Sequence, residues 1–325
     1  MVDSQLRGRA GSKGSPPGLL LLASIVASLT LAACGTGSAA DPDNASCNAP
    51  PVSFGAPLVL ANHAEVSVRF TCEGAAQAGT IYLPNGAGPH PAAVWVHGDG
   101  PMKRIIYGTG NVIAGLVQAG VAVLSYDKRG VGESQGVCCP GDEGRFNLLA
   151  ADAVGAVNAL RSMPGIDQRH VGLLGGSQAG WIVPLAAARS SNVAFTALVD
   201  APAVTQDEEK LYSLLTGEEG GAGGVLSHQA IAYRLKQAGP SGFDPLPSLE
   251  KISVPGLWLY GGADESIPAD RSIAILDSLK KHGKDFTVIV LPGAGHGLLN
   301  VPPSDPRALP TLVEWITKQV HAPAA

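Results

Sequence analysis

Short apolar segments alternate with segments of helical periodicity along most of the chain. Unbroken apolar runs, typical of strands that are buried on both faces, occupy residues 92–96, 121–126, 170–174, 194–199, 256–260 and 286–291. Helical patterns lie at 109–119, 147–162, 178–189, 268–281 and 306–320. Two β-rich segments near the start of this region predict an antiparallel hairpin, at 66–71 and 79–83. The alternation predicts an α/β fold, with a mostly parallel sheet flanked by helices on both faces.

One polar, glycine-rich stretch interrupts this alternation between two predicted core strands. Residues 205–249 contain the run GEEGGAGG and only short helical patterns, such as 227–236. Because this stretch contributes no clear strand, we expect an inserted cap at about 203–250. A disordered surface loop is the alternative interpretation.

The first 34 residues have the pattern of an export signal. Three basic residues precede the uncharged run 19–33. At about 1.5 Å per residue, this run is too short to cross a hydrocarbon core of about 30 Å comfortably. A basic flank, a short apolar run and small residues at its end are typical of a secretory signal peptide, here 1–33. The run ends in Leu-Ala-Ala-Cys, which resembles the bacterial lipobox and implies lipid attachment at Cys34.

The lipobox resemblance implies that the mature chain begins at Cys34 and is exported. It would then be held to a membrane of the bacterial cell envelope by acyl chains. The small and polar composition of residues 34–54 predicts a flexible lipidated tether, which leaves 55–322 for the folded domain. An ordinary secretory peptide with an incidental cysteine is the alternative.

The other four cysteines permit disulfides in an exported protein. A bond between Cys47 and Cys72 is plausible, because it would close the tether onto the first strands. Cys138 and Cys139 are adjacent and could pair with each other or elsewhere. Four cysteines allow three connectivities, so the sequence does not decide the pairing.

Composition narrows the class of protein further. The 325 residues are 45% hydrophobic and 15% charged, which excludes an intrinsically disordered chain. The net charge of −5 gives no sign of the basic face that a nucleic-acid-binding protein carries. The cysteines lack zinc-finger spacing, and we expect no metal site.

A glycine-rich turn follows the strand predicted at 170–174. Its sequence is GGSQAG, with Ser177 third, and a helical pattern begins directly after it. A sharp turn from strand to helix needs very small neighbours, and it lifts the serine hydroxyl above the sheet. The turn resembles the nucleophile elbow G-x-S-x-G, except that Ala179 stands where a glycine is usual. A capping serine in an ordinary turn is the alternative.

A histidine and three carboxylates follow three other predicted strands. His296 lies in the sequence GAGHG after 286–291, where it can act as a general base for Ser177. Asp264 follows 256–260 and is the preferred partner for the imidazole, with Glu265 and Asp200 as rivals. Because each group follows a buried strand, we expect all of them at one edge of the sheet.

A fourth loop, with the sequence HGDGP, follows the strand predicted at 92–96. We expect the backbone amides of Gln178 and Asp99 to form an oxyanion hole, with only the amide of Asp99 facing the site. His97 is interpreted as structural. The nearby charges of Lys103 and Arg104 are interpreted as solvated, with an anionic substrate group as the alternative.

These motifs together resemble the α/β-hydrolase fold superfamily, over roughly residues 55–320. The sequence DKRGVGES at 127–134 resembles the D-x-R-G-x-G-x-S loop of that superfamily, which implies a structural role in bracing the site. The combination is most similar to bacterial esterases that themselves resemble serine aminopeptidases and dienelactone hydrolases.

The resemblance implies a serine hydrolase that cleaves a small-molecule ester or acyl substrate and needs no cofactor. The triad would be Ser177, Asp264 and His296. A serine aminopeptidase or amidase on the same triad is one alternative. A surface-anchored binding protein without activity is another. The sequence predicts no oligomeric state.

Overall fold

The computed structural model of this chain describes residue 47 and residues 51–106, 108–138, 144–218, 226–299 and 305–321. The predicted signal peptide 1–33, Cys34 and Cys139 lie outside these ranges. Export, lipidation and the pairing of Cys139 therefore stay predictions. Within the described ranges, no helix combines the length and the apolar character needed to cross a membrane.

The described residues form strands and helices, which alternate from the fifth strand onward except for three successive helices. The strands are β1 (Val52–Phe54), β2 (Leu58–Val59), β3 (His63–Cys72), β4 (Ala75–Pro84), β5 (His90–Val96), β6 (Ala122–Tyr126), β7 (Ile166–Gly176), β8 (Thr196–Val199), β9 (Gly256–Gly261) and β10 (Phe286–Leu291). The helices are α1 (Thr109–Gln118), α2 (Gly144–Arg161), α3 (Ala179–Arg189), α4 (Gln206–Thr216), α5 (His228–Ala238), α6 (Leu246–Lys251), α7 (Ala269–Lys281) and α8 (Ala308–His321). Every element predicted from the hydrophobic pattern overlaps one of these.

The strands make one sheet in the order β1-β3-β4-β6-β5-β7-β8-β9-β10, with β2 paired to β3. The hairpin β3–β4 is antiparallel, and β4 also runs antiparallel to β6. From β6 to β10 every neighbouring pair is parallel. The strand order reverses around β5, so loops after β5 and β7 meet at a crevice beyond the carboxyl ends of the strands.

Two hydrophobic cores cover the two faces of the sheet. Residues of α2, α3 and α7 belong to one core, and residues of α1 and α8 belong to the other. Val94 of β5 faces the first core and Ala93 faces the second, as the alternation along a strand requires. Because helices cover both faces, all residues of β6 and β9 are buried. The predicted α/β fold, with a mostly parallel sheet flanked by helices on both faces, is confirmed.

The predicted tether 34–54 is wrong at its carboxyl end. Residues 52–54 form β1, which pairs with β3 in antiparallel register. Val52 and Phe54 are partly buried against the hydrophobic core, which explains why this segment is held to the sheet. Before β1, a disulfide joins Cys47 to Cys72 at the end of β3. The folded domain therefore includes residues that the composition alone assigned to a flexible segment.

Helices α4 to α6 lie between β8 and β9, where the sequence predicts a cap at about 203–250. The hydroxyl of Tyr212 in α4 donates a hydrogen bond of 2.9 Å to the backbone oxygen of Asp264. Glu208 in the same helix pairs with Arg271 of α7 at 2.5 Å. These contacts fasten α4 to the loop and helix that follow β9.

Candidate active site

Ser177 occupies a strained turn between β7 and α3. Its φ of 53° lies in the left-handed region that residues with a side chain rarely adopt. The amide of Ser177 donates to the backbone oxygens of Val199 and Asp200, at 3.2 and 3.1 Å. Strained residues of this kind persist only where the surrounding structure holds them, and they cluster at functional sites.

The neighbours of Ser177 explain why alanine is tolerated at position 179. A β-carbon on Gly175 would lie 2.5 Å from the backbone oxygen of Val96 and 2.6 Å from the β-carbon of Ala179. Gly175 therefore provides the space that Ala179 occupies. A β-carbon on Gly180 would lie 2.4 Å from the backbone oxygen of Pro202. The close approach of chains that requires glycine falls at 180, one residue later than in the usual motif.

His296 and Asp264 form a hydrogen-bonded pair on the loops after β10 and β9. Nδ1 of His296 lies 3.0 Å from Oδ2 of Asp264. Oδ1 of Asp264 accepts hydrogen bonds from the amides of Ser266 and Ile267, each at 2.8 Å. The Asp264 side chain is fully buried, whereas that of His296 is 24% exposed. The carboxylate thus caps the turn before α7 and also orients the imidazole.

The surroundings of His296 raise the pKa of its imidazole. Burial by itself lowers this pKa, but the hydrogen bond to Asp264 and the charges of Asp264 and Asp200 outweigh burial. Because an ionised carboxylate only accepts hydrogen bonds, Nδ1 of His296 carries the proton in this pair. Nε2 of the neutral ring is then free to accept a proton.

The two rival carboxylates are placed differently. Glu265 is exposed. Asp200 is buried and accepts from the amides of Gly261, Gly297 and Leu298, at 3.2, 3.0 and 2.7 Å. Burial raises the pKa of Asp200 to about 7, against the opposing effects of His296 and these amides. Asp200 therefore braces the loop that carries His296, while Asp264 makes the direct contact with the ring.

Asp99 and Gln178 lie together beside Ser177, as their predicted role requires. The expectation that only the backbone amide of Asp99 faces the site is incomplete. Its carboxylate accepts a hydrogen bond of 2.5 Å from Nε2 of Gln178. Lys128 in turn donates to Oε1 of Gln178 at 2.9 Å. The negative charge that the sequence leaves unexplained is therefore part of a network with a buried cation.

The loop at 127–134 braces the site, as its resemblance implies. Asp127 accepts from the backbone and guanidinium of Arg104, with a shortest distance of 2.6 Å. Arg104 is thus paired and partly buried, so the interpretation of its charge as solvated is wrong. Arg129 forms a buried ion pair of 2.5 Å with Asp152 of α2. These contacts join the loop to the segment just after the HGDGP turn and to α2.

His97 is buried and structural in its surroundings. Burial, together with the charge of Lys128, lowers the pKa of its imidazole to about 3. The neutral ring packs edge-on against Tyr126, with ring centres 4.9 Å apart. Its burial and contacts agree with a packing role.

Ser177 lies at the boundary of two cavities. One has a volume of about 240 Å³, includes His296 and has a mainly apolar wall formed by Trp95, Met102, Ile106, Val199 and Leu299. The other has a volume of about 320 Å³ and a polar wall that includes Asp99, Arg145, Gln206, Glu209 and Lys210. The second cavity is lined in part by α4, because Gln206, Glu209 and Lys210 belong to this helix of the predicted cap.

Asp200, Asp264 and His296 also form a cluster of the residue types that bind metals. Their ligand atoms lie within 4.8 Å of one another. However, both oxygens of Asp200 and both oxygens of Asp264 already face hydrogen-bond donors. Because these donors occupy the carboxylate oxygens, the cluster fits a proton-transferring pair of Asp264 and His296, supported by Asp200, better than it fits a metal centre.

Sequence reasoning did not find Lys128 and Arg145 beside Ser177. The motif at 127–134 drew attention to its loop as a whole, and nothing in the pattern showed that its lysine turns inward. Arg145 lies just before the helix predicted at 147–162. The signal that could have found Lys128 is its place in a charged run, residues 127–129, that begins directly after a fully buried strand at the edge where the loops converge.

The fold and the arrangement of Ser177, Asp264 and His296 after β7, β9 and β10 define the class of protein as an α/β-hydrolase. The sequence model of the prolyl oligopeptidase family matches residues 113–322, and the chain belongs to this family. Membership in this family supports the interpretation of the protein as a serine hydrolase. The superfamily expected from the sequence is confirmed, although the family is not among those to which the motifs were compared.

Solved structures of esterases and of a peptidase share the fold. Acetyl xylan esterase 1 from Thermoanaerobacterium sp. matches with a TM-score of 0.61 and 18% identity, over 86% of this chain and 91% of that chain. The acylaminoacyl peptidase of Pyrococcus horikoshii matches with a TM-score of 0.59 and 18% identity, over 80% of this chain and 42% of that chain. At these identities the likeness shows the fold alone.

One curated relative is a thiohydrolase, aneE, from Aspergillus aculeatus. It is 34% identical over 110 residues, which are 34% of this chain and 33% of that protein. The chain thus spans about a third of the length of this relative.

Proposed function

We propose that this protein is a serine hydrolase that cleaves carboxylic esters through an acyl-enzyme on Ser177. The observation that carries the proposal is the geometry at one cavity. A serine held on a strained turn lines the same cavity as a histidine whose other nitrogen is fixed by a buried carboxylate. That combination is the one required to activate a hydroxyl as a nucleophile.

The proposed reaction has two halves. His296 takes the proton of the Ser177 hydroxyl through Nε2 while Oγ attacks the carbonyl carbon of the ester. The amides of Gln178 and Asp99 bind the oxyanion that forms, and Asp264 stabilises the charged imidazole. The imidazole then protonates the departing alcohol oxygen, which leaves the acyl group on Ser177. Water repeats the sequence and releases the acid, and the serine regains its proton.

The two cavities suggest how a substrate lies. The apolar wall beside His296 suits the acyl chain, because burial of apolar surface is favourable there. The volume of this cavity, about 240 Å³, is below the range of about 300–1,000 Å³ that is usual for pockets that bind drug-sized ligands. We therefore expect short acyl groups. The polar cavity lined in part by α4 suits a hydrophilic leaving group.

A peptidase or amidase is the second candidate, because the family includes peptidases and the same residues can cleave amides. The nitrogen that leaves an amide depends on protonation by His296 more strongly than the oxygen that leaves an ester. A panel of p-nitrophenyl esters of increasing acyl length, run against aminoacyl anilides with purified protein, separates the two. The esterase proposal expects faster turnover of short esters, and higher kcat/KM on the anilides would favour the peptidase.

Activity that depends on Ser177 is the test common to both. Replacement of Ser177 by alanine should reduce kcat by several orders of magnitude, because the nucleophile is removed while the fold is kept. A folded Ser177→Ala protein with the wild-type rate would exclude Ser177 as the nucleophile. Wild-type protein that cleaves neither substrate class, and is not labelled by a fluorophosphonate, would favour the non-catalytic binding protein.

We also propose that the protein is exported and anchored by lipid at Cys34. The disulfide between Cys47 and Cys72 supports export, because such bonds persist in oxidising compartments, and the resemblance of Leu-Ala-Ala-Cys to a lipobox supports the anchor. Expression in a bacterial host should yield an amino-terminal peptide that starts at Cys34 and carries acyl chains. Replacement of Cys34 by alanine should release the protein from the membrane fraction. An unmodified Cys34 in the wild-type protein would contradict lipidation.

A further inference from the structure

Lys128 is a buried lysine that binds both segments proposed to form the oxyanion hole. It is 3% exposed. Its ammonium donates to the backbone oxygens of Gly98 and Gly100, at 2.8 and 3.1 Å, and to Oε1 of Gln178 at 2.9 Å. An ammonium group has three N–H donors and no acceptor. The three acceptors therefore match the charged form of the lysine fully.

The contact with Gly98 acts on the peptide group that carries a proposed oxyanion donor. In a trans peptide the carbonyl oxygen and the N–H of the next residue point in opposite directions. Because Lys128 holds the oxygen of Gly98 on one side, the N–H of Asp99 is directed to the other side. Lys128 thus fixes the direction of this amide without touching the substrate.

The contact with Gln178 acts through the side chain of the residue whose backbone amide is the second proposed donor. The side-chain amide of Gln178 accepts from Lys128 through its oxygen and donates to the Asp99 carboxylate through its nitrogen. Both bonds hold the side chain of Gln178 against the HGDGP turn at 97–101. The same network keeps the carboxylate of Asp99 paired, next to a position where negative charge develops during acyl transfer.

We propose that Lys128 is a positioning residue for the oxyanion hole, and that its ammonium must be charged for the two amides to be correctly aligned. This inference rests on the acyl-transfer function proposed above. A neutral amine has only two N–H donors, so at least one of the three acceptors loses its bond when the lysine is deprotonated. Turnover should then fall at alkaline pH.

The groups that face Lys128 set the pH of this change. Burial lowers its pKa to about 8, Asp99 opposes the shift, and Arg145 adds to it. His97 also faces the lysine but is neutral at this pH, because its own pKa is about 3. The remaining charges nearby are paired, Asp127 with Arg104 and Arg129 with Asp152.

The test is a pH profile of kcat for wild-type, Lys128→Met and Lys128→Arg proteins on a short p-nitrophenyl ester. The wild-type profile should lose activity on the alkaline side with a pKa near 8. Lys128→Met should lower kcat by about 10²-fold, as loss of one oxyanion donor does, with KM changed much less. Lys128→Arg stays charged, so its alkaline loss should be absent up to about pH 10.

Asp99→Asn supplies an independent arm if the arginine variant does not fold. Removal of the carboxylate takes away the interaction that keeps the pKa of Lys128 up, so the alkaline loss should move to lower pH. Lys103→Met is the matched control, because this lysine is exposed two residues after the HGDGP turn and should leave the profile unchanged.

The outcomes distinguish the inference from the function beneath it. Wild-type protein that neither turns over esters nor reacts with a fluorophosphonate removes the proposed function. If the wild-type protein is active and folded Lys128→Met keeps the wild-type kcat, only the inference about Lys128 is overturned. If Lys128→Arg and Asp99→Asn both lose activity at the same alkaline pH as the wild-type protein, the inference about Lys128 is overturned as well.

Discussion

Replacement of Asp264 by asparagine should disable the proposed base while leaving its surroundings nearly unchanged. Oδ1 of Asp264 accepts from the amides of Ser266 and Ile267, so an asparagine must place its oxygen there. Its NH₂ group is then directed to Nδ1 of His296, which lies 3.0 Å from Oδ2 in the wild-type protein. Two donors cannot share this position, so Nδ1 must become an acceptor.

This exchange puts the imidazole proton on the wrong nitrogen. With Nδ1 as the acceptor, the neutral ring carries its proton on Nε2 and cannot take the proton of Ser177. Loss of the correct tautomer in a triad of this kind lowers kcat by about 10⁴-fold, which is about 5 kcal/mol in the barrier. The fold should be retained, because the hydrogen bonds to Ser266 and Ile267 are kept.

The pH dependence gives a second reading of the same variant. His296 acts as a base only when neutral, and its pKa is raised above the usual 6.5 in the wild-type protein. Activity should therefore be present above that pKa and lost as the pH falls through it. In Asp264→Asn, burial acts without the opposing carboxylate, so the residual activity should be lost at a lower pH.

The assay is kcat/KM on a p-nitrophenyl ester across pH, with thermal unfolding to show that the variant is folded. Glu265→Gln is the matched control, because it changes the neighbouring carboxylate, which is exposed. We expect the control to stay within about twofold of wild type. Folded Asp264→Asn protein that keeps wild-type kcat/KM, or a control that loses as much activity, would refute the assignment of the acid.

Two further predictions concern the elements that support the site. Gly180→Ala should lower the free energy of unfolding by about 1–3 kcal/mol and reduce activity, because the added β-carbon meets the backbone oxygen of Pro202. Ala179→Gly should leave activity near that of the wild type. Urea unfolding and ester turnover measure both variants, and equal behaviour of the two would contradict the account of the turn. Arg129→Met should cost about 3–5 kcal/mol at neutral pH, because it leaves the buried carboxylate of Asp152 unpaired. Burial raises the pKa of Asp152 to about 6 even with its partner present. This variant should therefore be most stable in acid and lose stability as the pH rises, and a pH-independent loss would contradict the buried pair.

The sequence predicts the sheet well because the central strands are covered on both faces. Residues 256–260 are apolar without interruption since every residue of β9 is buried, and a short unbroken run of this kind is typical of a strand inside a parallel sheet. β1 and β2 were missed because they are three and two residues long, and both residues of β2 are exposed. Such short edge strands follow from pairing with β3 rather than from their own composition.

The site was predictable in its residue types and only partly in its contacts. Ser177 and His296 follow from small residues around a reactive group after a strand. The sequence prefers Asp264 to Glu265, and the structure adds a physical reason, because the Asp264 side chain is buried beside His296 whereas Glu265 is exposed. The inward turn of Lys128 depends on contacts with Gly98 and Gln178, which lie 30 and 50 residues away along the chain.

The most direct test of the central claim is to locate the covalent adduct that a fluorophosphonate forms with the purified protein. Peptide mass spectrometry should find the added mass on Ser177. The adduct should be absent in Ser177→Ala and formed far more slowly in His296→Ala, because the base is lost. An adduct on another residue, or labelling that persists in folded Ser177→Ala protein, would contradict the account.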